Sequence, residues 1–153
     1  MESILKICDV VIINKQEGSY LTGVPLVNSD KIFKTLDNLV KGILILTDGK
    51  NGAEVSDSFH IWKAGIFKNK KVIDRTGAGD SFGSAFVAGL MMKNENCLKG
   101  KCDVSNINYA LRLASANSTS VVESLGAKTG ILTKAQFEKN KRWNNLKIET
   151  KKI

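Results

Sequence analysis

The sequence is short of the residues from which metal sites, disulfide frameworks and histidine-assisted catalysis are built. It has one proline, Pro25, one histidine, His60, and three cysteines in 153 residues. Cys8, Cys97 and Cys102 form an odd, scattered set. Cys97 and Cys102 stand too far from other ligand types to suggest zinc, and nothing in the pattern implies an oxidising compartment. Aromatic residues make up 7% of the chain, and no apolar run approaches the ~18 residues needed to cross a bilayer. Residues 1–15, MESILKICDVVIINK, carry Glu2 and Lys6 and no small-residue cleavage site, so no secretory signal is expected. The cytoplasm is the expected compartment, with no membrane partner. What is present is 42% hydrophobic and 25% charged, the balance of an ordinary globular domain rather than of a disordered or collagen-like chain. A mass of 16.7 kDa leaves room for one domain.

The net charge of +8 raises nucleic acid as a partner, so its distribution matters. Residues 134–153 hold seven basic side chains against Glu138 and Glu149, so that stretch contributes +5 and the other 133 residues +3. A basic end without a recognisable nucleic-acid-binding pattern reads as solvated surface. A basic tail over 140–153 and no nucleic-acid partner are expected.

Along the chain, strand-like and helix-like stretches alternate. Val10–Ile13 is a β-branched run giving way to a polar loop, Asn14-Lys15-Gln16-Glu17-Gly18. Asn28-Ser29-Asp30 offers N-caps for a helix to about Lys41, with Ile32, Phe33, Leu36, Leu39 and Val40 at helical spacing and Gly42 as its stop. Ile43–Thr47 is apolar throughout, as a strand buried on both faces would be. Asp48–Gly52 reads as a turn. Residues 53–73 read as short antiparallel strands with Phe59, Ile61, Val72 and Ile73 as apolar positions. Helices follow from about Asp80 to Lys93, before the polar Lys93-Asn94-Glu95-Asn96, and from about Val104 into the 120s. A last helix starts at the capping box Thr133-Lys134-Ala135-Gln136. This alternation predicts an α/β layered sheet.

Chemistry concentrates in Val72-Ile73-Asp74-Arg75-Thr76-Gly77-Ala78-Gly79-Asp80-Ser81-Phe82, read as a strand entering a glycine turn that opens onto a helix. Glycines permit positive φ and close ligand approach. Free amides of Gly77 to Asp80 at the positive end of a helix form a site for an anion such as a phosphate. A carboxylate there repels the anion unless it has a task, and proton abstraction from a hydroxyl is one. Helix capping by Asp80 accounts for it equally well. Other motifs overlap this loop. Gly79-Asp80-Ser81-Phe82-Gly83 fits the G-x-S-x-G of serine hydrolases, but that order needs a histidine after the serine and His60 precedes it. Gly77, Gly79 and Gly83 come near a dinucleotide fingerprint, yet no strand ending in an acid follows about 20 residues later. No Walker-type P-loop occurs.

The run Asp74–Phe82 resembles the second signature, D-T-x-G-A-G-D, of the PfkB/ribokinase family of carbohydrate kinases. Three further segments fall in that family's order. Asn14-Lys15-Gln16-Glu17, with Leu21-Thr22-Gly23 after it, resembles N-x-x-E. Thr47-Asp48-Gly49-Lys50-Asn51-Gly52-Ala53 resembles T-x-G-x-x-G. Gly126-Ala127-Lys128-Thr129-Gly130 resembles the family's late glycine-alanine loop. The resemblance implies a three-layer, ribokinase-like (Rossmann-like) α/β sheet with flanking helices, and transfer of the γ-phosphate of ATP to a sugar or nucleoside hydroxyl.

It also implies roles. Asp80 would take the hydroxyl proton, and Gly77, Ala78 and Gly79 would form the anion hole. Glu17 would hold Mg²⁺ through its water shell, and Asn14 would sit near the phosphates; a polar loop is the plainer account of both. Thr47, Gly49 and Gly52 would line the nucleotide, and Asn117 resembles a polar residue facing adenine. In some family members the residues matching Asp74 and Thr76 help bind a monovalent cation such as K⁺, and a loop-bracing hydrogen bond accounts for them equally. Arg75 departs from the usual threonine.

The resemblance covers only the C-terminal, nucleotide-binding and catalytic half of that family's domain, so the sheet is expected to be incomplete at its N-terminal side. A fragment is the favoured expectation, ahead of a half that pairs with a separate chain or a homodimer, and a shortened binding protein. The functional expectation is an ATP-dependent carbohydrate kinase. The alternatives are a non-catalytic nucleotide-binding module and, more remotely, a dinucleotide-binding oxidoreductase.

Overall fold

The computed structural model describes residues 2–94, 97 and 102–153, and Glu95 and Asn96 of the polar stretch after the first long helix lie outside them. The described residues divide into two compact units. The first holds residues 2–65 and 148–153, and the second 66–94, 97 and 102–147.

The first unit contains α1 (Glu2–Leu5), β1 (Val10–Asn14), α2 (Lys15–Thr22), α3 (Ser29–Asp37), β2 (Ile43–Thr47), a 3-10 turn (Gly49–Asn51), β3 (Ala53–Ser56), β4 (His60–Ala64) and β5 (Ile148–Lys152). Its sheet has the order β1-β2-β3-β4-β5. β1 and β2 are parallel, in register from Val10 beside Ile43 to Asn14 beside Thr47, and every later pair is antiparallel. β2 is buried over Ile43–Leu46, as its unbroken apolar run requires. α2 and α3 pack together, and Ile32, Phe33 and Leu36 join Val11, Leu44 and Leu46 in one core. Each such side chain contributes about 1.5–3 kcal/mol on full burial.

Several expectations are corrected here. Residues 15–22 are helix and not loop. Gly18 is buried in α2, where a Cβ would come 2.9 Å from Ile32 Cγ2. The polar Lys15-Gln16-Glu17 therefore helps form a helix whose closeness to α3 depends on a missing side chain. α3 ends at Asp37, so Gly42 is no helix stop. A Cβ at Gly42 would overlap the carbonyl oxygens of Cys8 and Asp9, and Ile43 N donates to Asp9 O (2.8 Å). The antiparallel strands end at Ala64. Phe59 is exposed in the β3–β4 turn, and Val72 and Ile73 lie in irregular chain, also exposed. The basic stretch 140–153 is mostly exposed, but it is also ordered: Trp143 is buried, and Ile148–Lys152 adds β5 beside β4, a strand not expected from the sequence.

The second unit contains α4 (Ala78–Lys93), α5 (Val104–Val122), α6 (Lys134–Lys139) and a 3-10 turn (Lys141–Asn144). Gly89 lets α4 approach α5, since a Cβ there would stand 2.8 Å from Ala110 Cα. α6 begins with the expected capping box, Gln136 N donating to Thr133 Oγ1 (3.2 Å) and Thr133 N to Gln136 Oε1 (2.8 Å). Glu123 accepts from both terminal nitrogens of Arg142 and from Lys70 N, which draws residues 68–70 to the end of α5. Cys97 and Cys102, read from sequence as isolated, are joined as a disulfide. No helix among the described residues is long and apolar enough to cross a membrane.

Candidate functional site

In the first unit the candidate residues gather where β1 and β2 end. Asn14 closes β1 and caps α2: its Oδ1 accepts from Glu17 N (2.8 Å), and Glu17 Oε2 accepts from Asn14 N (2.9 Å). The N-x-x-E pair is thus a capping box, which fixes both side chains at the mouth of α2. Thr47 lies beside Asn14 in the ladder, its hydroxyl 3.5 Å from Ile13 O. The carboxyl ends of parallel strands are where α/β sheets bind ligands. The turn that follows is shaped by Gly49 (φ 51°) and Gly52 (φ 93°), and a Cβ on Gly52 would overlap Ala64 O. Asp48, not among the expected site residues, ties this turn to α2. Its Oδ2 accepts from Lys15 Nζ (3.2 Å) and Asn51 Nδ2 (3.0 Å).

In the second unit the glycine loop runs from irregular chain into α4. Gly77, at φ 77°, is the residue before the first helical turn, and a Cβ on it would meet Ala127 O, Cα and Cβ at 2.7–2.8 Å. Asp74 braces the loop from its other end. Oδ1 accepts from Thr76 N (2.9 Å) and Oδ2 from Gly126 N (3.1 Å). These bonds, the Thr76 amide first, hold the Asp74 carboxyl below the usual carboxylate range. The turn at 126–130 therefore sets the shape of a loop some fifty residues earlier.

The amides of Gly77, Gly79 and Asp80 meet no acceptor among the described residues, whereas Ala78 N donates to Arg75 O (3.3 Å). The free donors at this helix mouth are thus Gly77, Gly79 and Asp80, not Gly77, Ala78 and Gly79. Asp80 is exposed in the first turn of α4, and its carboxylate makes no hydrogen bond or ion pair among the described residues. No side chain caps α4, so capping does not account for Asp80. The mouth offers hydrogen-bond donors at the positive end of a sixteen-residue helix, together with an unengaged carboxylate.

Asn117 is buried in α5, and its Oδ1 accepts from Leu132 N (2.8 Å). It anchors the 131–132 segment and lines a groove of about 220 Å³ with Ser81, Ala85, Leu113 and Ile131. That groove is mostly apolar with few polar groups, a composition suited to a flat heterocycle.

The residues fit Mg²⁺ and a monovalent cation differently. One oxygen of Glu17 serves the capping box and the other is unengaged among the described residues, which suffices to hold a hydrated ion through water. Both oxygens of Asp74 already accept amide hydrogens, and no cluster of three acidic, histidine or cysteine side chains occurs among the described residues.

Residues 1–134 match the family model for pfkB family carbohydrate kinases. The chain belongs to that family. No protein of curated function matches it significantly. Among solved structures, a ribokinase from Giardia lamblia is 24% identical with a TM-score of 0.76, the match covering 90% of this chain and 44% of that one. A ribokinase from Arabidopsis thaliana, complexed with ribose and ATP, is 23% identical with a TM-score of 0.73, over 95% of this chain and 44% of that one. A double-mutant fructokinase from Vibrio cholerae O395, in a form bound to fructose, ADP and potassium ion, is 23% identical with a TM-score of 0.66, over 83% and 38%. The fold is therefore the ribokinase-like α/β fold, with a mixed five-stranded sheet and helices. The chain spans less than half the length of each of these structures.

Proposed function

We propose that this chain carries the nucleotide-binding and catalytic portion of an ATP-dependent kinase acting on a sugar or sugar-like alcohol. The observation that carries the reading is the mouth of α4, where unpaired amides of Gly77, Gly79 and Asp80 stand beside the unpaired Asp80 carboxylate. In the proposed reaction the acceptor hydroxyl oxygen bonds to the γ-phosphorus as the bond from that phosphorus to the β,γ-bridging oxygen breaks. ADP leaves, and the hydroxyl proton passes to Asp80. The amides stabilise charge on the moving phosphoryl group, each worth about 3 kcal/mol in comparable anion holes. Asn14, Thr47, Gly49 and Gly52 line the nucleotide, and Asn117 faces its adenine. Glu17 holds Mg²⁺ through water, and the ion supplies charge neutralisation on the phosphates when bound.

The test is Asp80→Asn, with nucleotide binding measured by calorimetry and transfer measured as ADP release in the presence of candidate sugars. Loss of transfer by about a thousandfold or more with ATP affinity kept within a few-fold supports the base role. Equal transfer by the variant refutes it. A second reading is a nucleotide-binding module without transfer, favoured by the engagement of Glu17 in the capping box. Tight Mg²⁺–ATP binding with no transfer to any sugar or nucleoside selects it.

A further inference from the structure

Two cations flank the glycine loop, and neither has a task in the chemistry above. Arg75 and Lys128 are exposed, and neither side chain has a hydrogen-bond or ion-pair partner among the described residues. Their backbones are brought together over a long stretch of sequence. Gly126 N bonds Asp74 Oδ2 (3.1 Å), and Gly77 sits against Ala127 too closely for any side chain. Arg75 directly follows Asp74, and Lys128 directly follows Ala127, so each cation springs from a fixed point beside the free amides.

The same geometry suits a monovalent cation poorly. Each oxygen of Asp74 already accepts an amide hydrogen, which leaves that carboxylate fewer lone pairs to offer an ion. Two positive side chains rooted next to Asp74 and Ala127 also repel an incoming cation. A polyanion is favoured instead, because guanidinium and ammonium groups form charge-assisted bonds to phosphate oxygens.

We propose that Arg75 and Lys128 are phosphate-positioning residues that supply positive charge beside the glycine loop from this chain itself, so nucleotide binding here does not require potassium. The inference rests on the reading of this loop as a nucleotide phosphate site. In the test the purified protein is titrated with a fluorescent N-methylanthraniloyl ATP and Mg²⁺, in potassium chloride and in tetramethylammonium chloride of equal ionic strength. The wild-type Kd should change by less than about twofold between salts. Arg75→Gln with Lys128→Gln should weaken binding by about tenfold or more, and Arg75→Lys alone should keep most of the affinity. Lys128→Gln alone, expected to cost about threefold, serves if the double variant melts early. Lys139→Gln with Lys141→Gln removes the same charge elsewhere and should leave Kd within about twofold.

Wild-type binding that weakens about tenfold without potassium overturns the proposal. So does a double variant that binds like wild type, or a control pair that weakens binding as much as Arg75 and Lys128 do. Absence of binding by the wild type in both salts instead refutes the nucleotide-site reading itself.

Discussion

Replacing Gly77 by alanine makes two demands on the loop. A φ of 77° places the residue in the left-handed region, which costs an L side chain about 1–2 kcal/mol. The added Cβ would also stand 2.7 Å from Ala127 O and 2.8 Å from its Cα and Cβ. Backbone on one side or the other must move, at about 1–3 kcal/mol for a forced fit of this kind. Together these give about 2–5 kcal/mol, a large share of the roughly 5–15 kcal/mol that holds a domain folded. At about 2–4 °C per kcal/mol for a chain of this size, the melting temperature should fall by roughly 4–20 °C. Gly79 is the control two residues on. Its φ lies outside the left-handed region, and a Cβ there meets nothing within 4 Å. Gly79→Ala replaces glycine in a helical turn and should be neutral or up to about 1 kcal/mol stabilising. It nevertheless puts a methyl group in open space at the helix mouth and should weaken fluorescent ATP binding. Thermal melts followed by circular dichroism, with nucleotide titration of each variant, separate the two effects. If Gly77→Ala melts like the wild type, or like Gly79→Ala, the contact with Ala127 does not fix the loop and the reasoning fails.

Glu17→Gln retains an acceptor for Asn14 N, so the capping box survives and stability should change by less than about 0.5 kcal/mol. The Mg²⁺ concentration for half-maximal transfer should still rise about tenfold, because the carboxylate charge is lost; an unchanged Mg²⁺ requirement would leave Glu17 as a cap and nothing more. Asp74 predicts an acid response. Its carboxyl is held below the usual range by the amide and hydroxyl of Thr76 and then by Gly126 N, so its stabilising contribution is complete above the unfolded-state value. That contribution is lost as pH falls through the lower folded value. The urea-midpoint gap between wild type and Asp74→Asn should therefore be widest at neutral pH and begin to narrow below about pH 4, as Asp74 takes up its proton. A gap that stays constant down to pH 3 contradicts the bracing role.

What could be read in the sequence follows from how local each cause is. β2 was legible because burial on both faces forces an unbroken apolar run, and β1, only half-buried, because its run of branched residues favours extended backbone. α6 was legible because its cap and its N3 partner are three residues apart. α2 was not read, although Lys15, Gln16 and Glu17 favour helix and its capping box is local, because Gly18 opposes helix and what holds it there, burial against Ile32, comes from α3. β5 was missed for the opposite reason. Ile148-Glu149-Thr150-Lys151-Lys152 has the charge of a solvated tail, yet strand pairing is made by backbone groups that any of those residues carries. An edge strand rich in lysine also keeps its open side from pairing with other chains. Val72 and Ile73 show the limit of β-propensity: branched side chains favour extended backbone, but Ile73 N bonds Val122 O and no ladder forms.

The site divides in the same way. Glycine at 77 and 79 and the carboxylate at 80 were readable because the donors are the backbone itself and need only a helix start behind them. The brace from Gly126 and Ala127 was not, because the hydrogen bond to Asp74 spans 52 residues. Nor does sequence spacing reveal that Ala78 N is already spoken for by Arg75 O. Asn117 makes the same point from within a helix. Its position on α5 is given by periodicity, but the use of its Oδ1 by Leu132 N is not, and that bond fixes the side chain with its amide nitrogen as the donor available to the groove. If the groove takes adenine, donation from Asn117 to a ring nitrogen is the contact this orientation offers. Asn117→Asp, which removes that donor and keeps the acceptor for Leu132, should weaken binding of fluorescent ATP, and thermal melts of the same variant measure the separate cost of a carboxylate at this buried position.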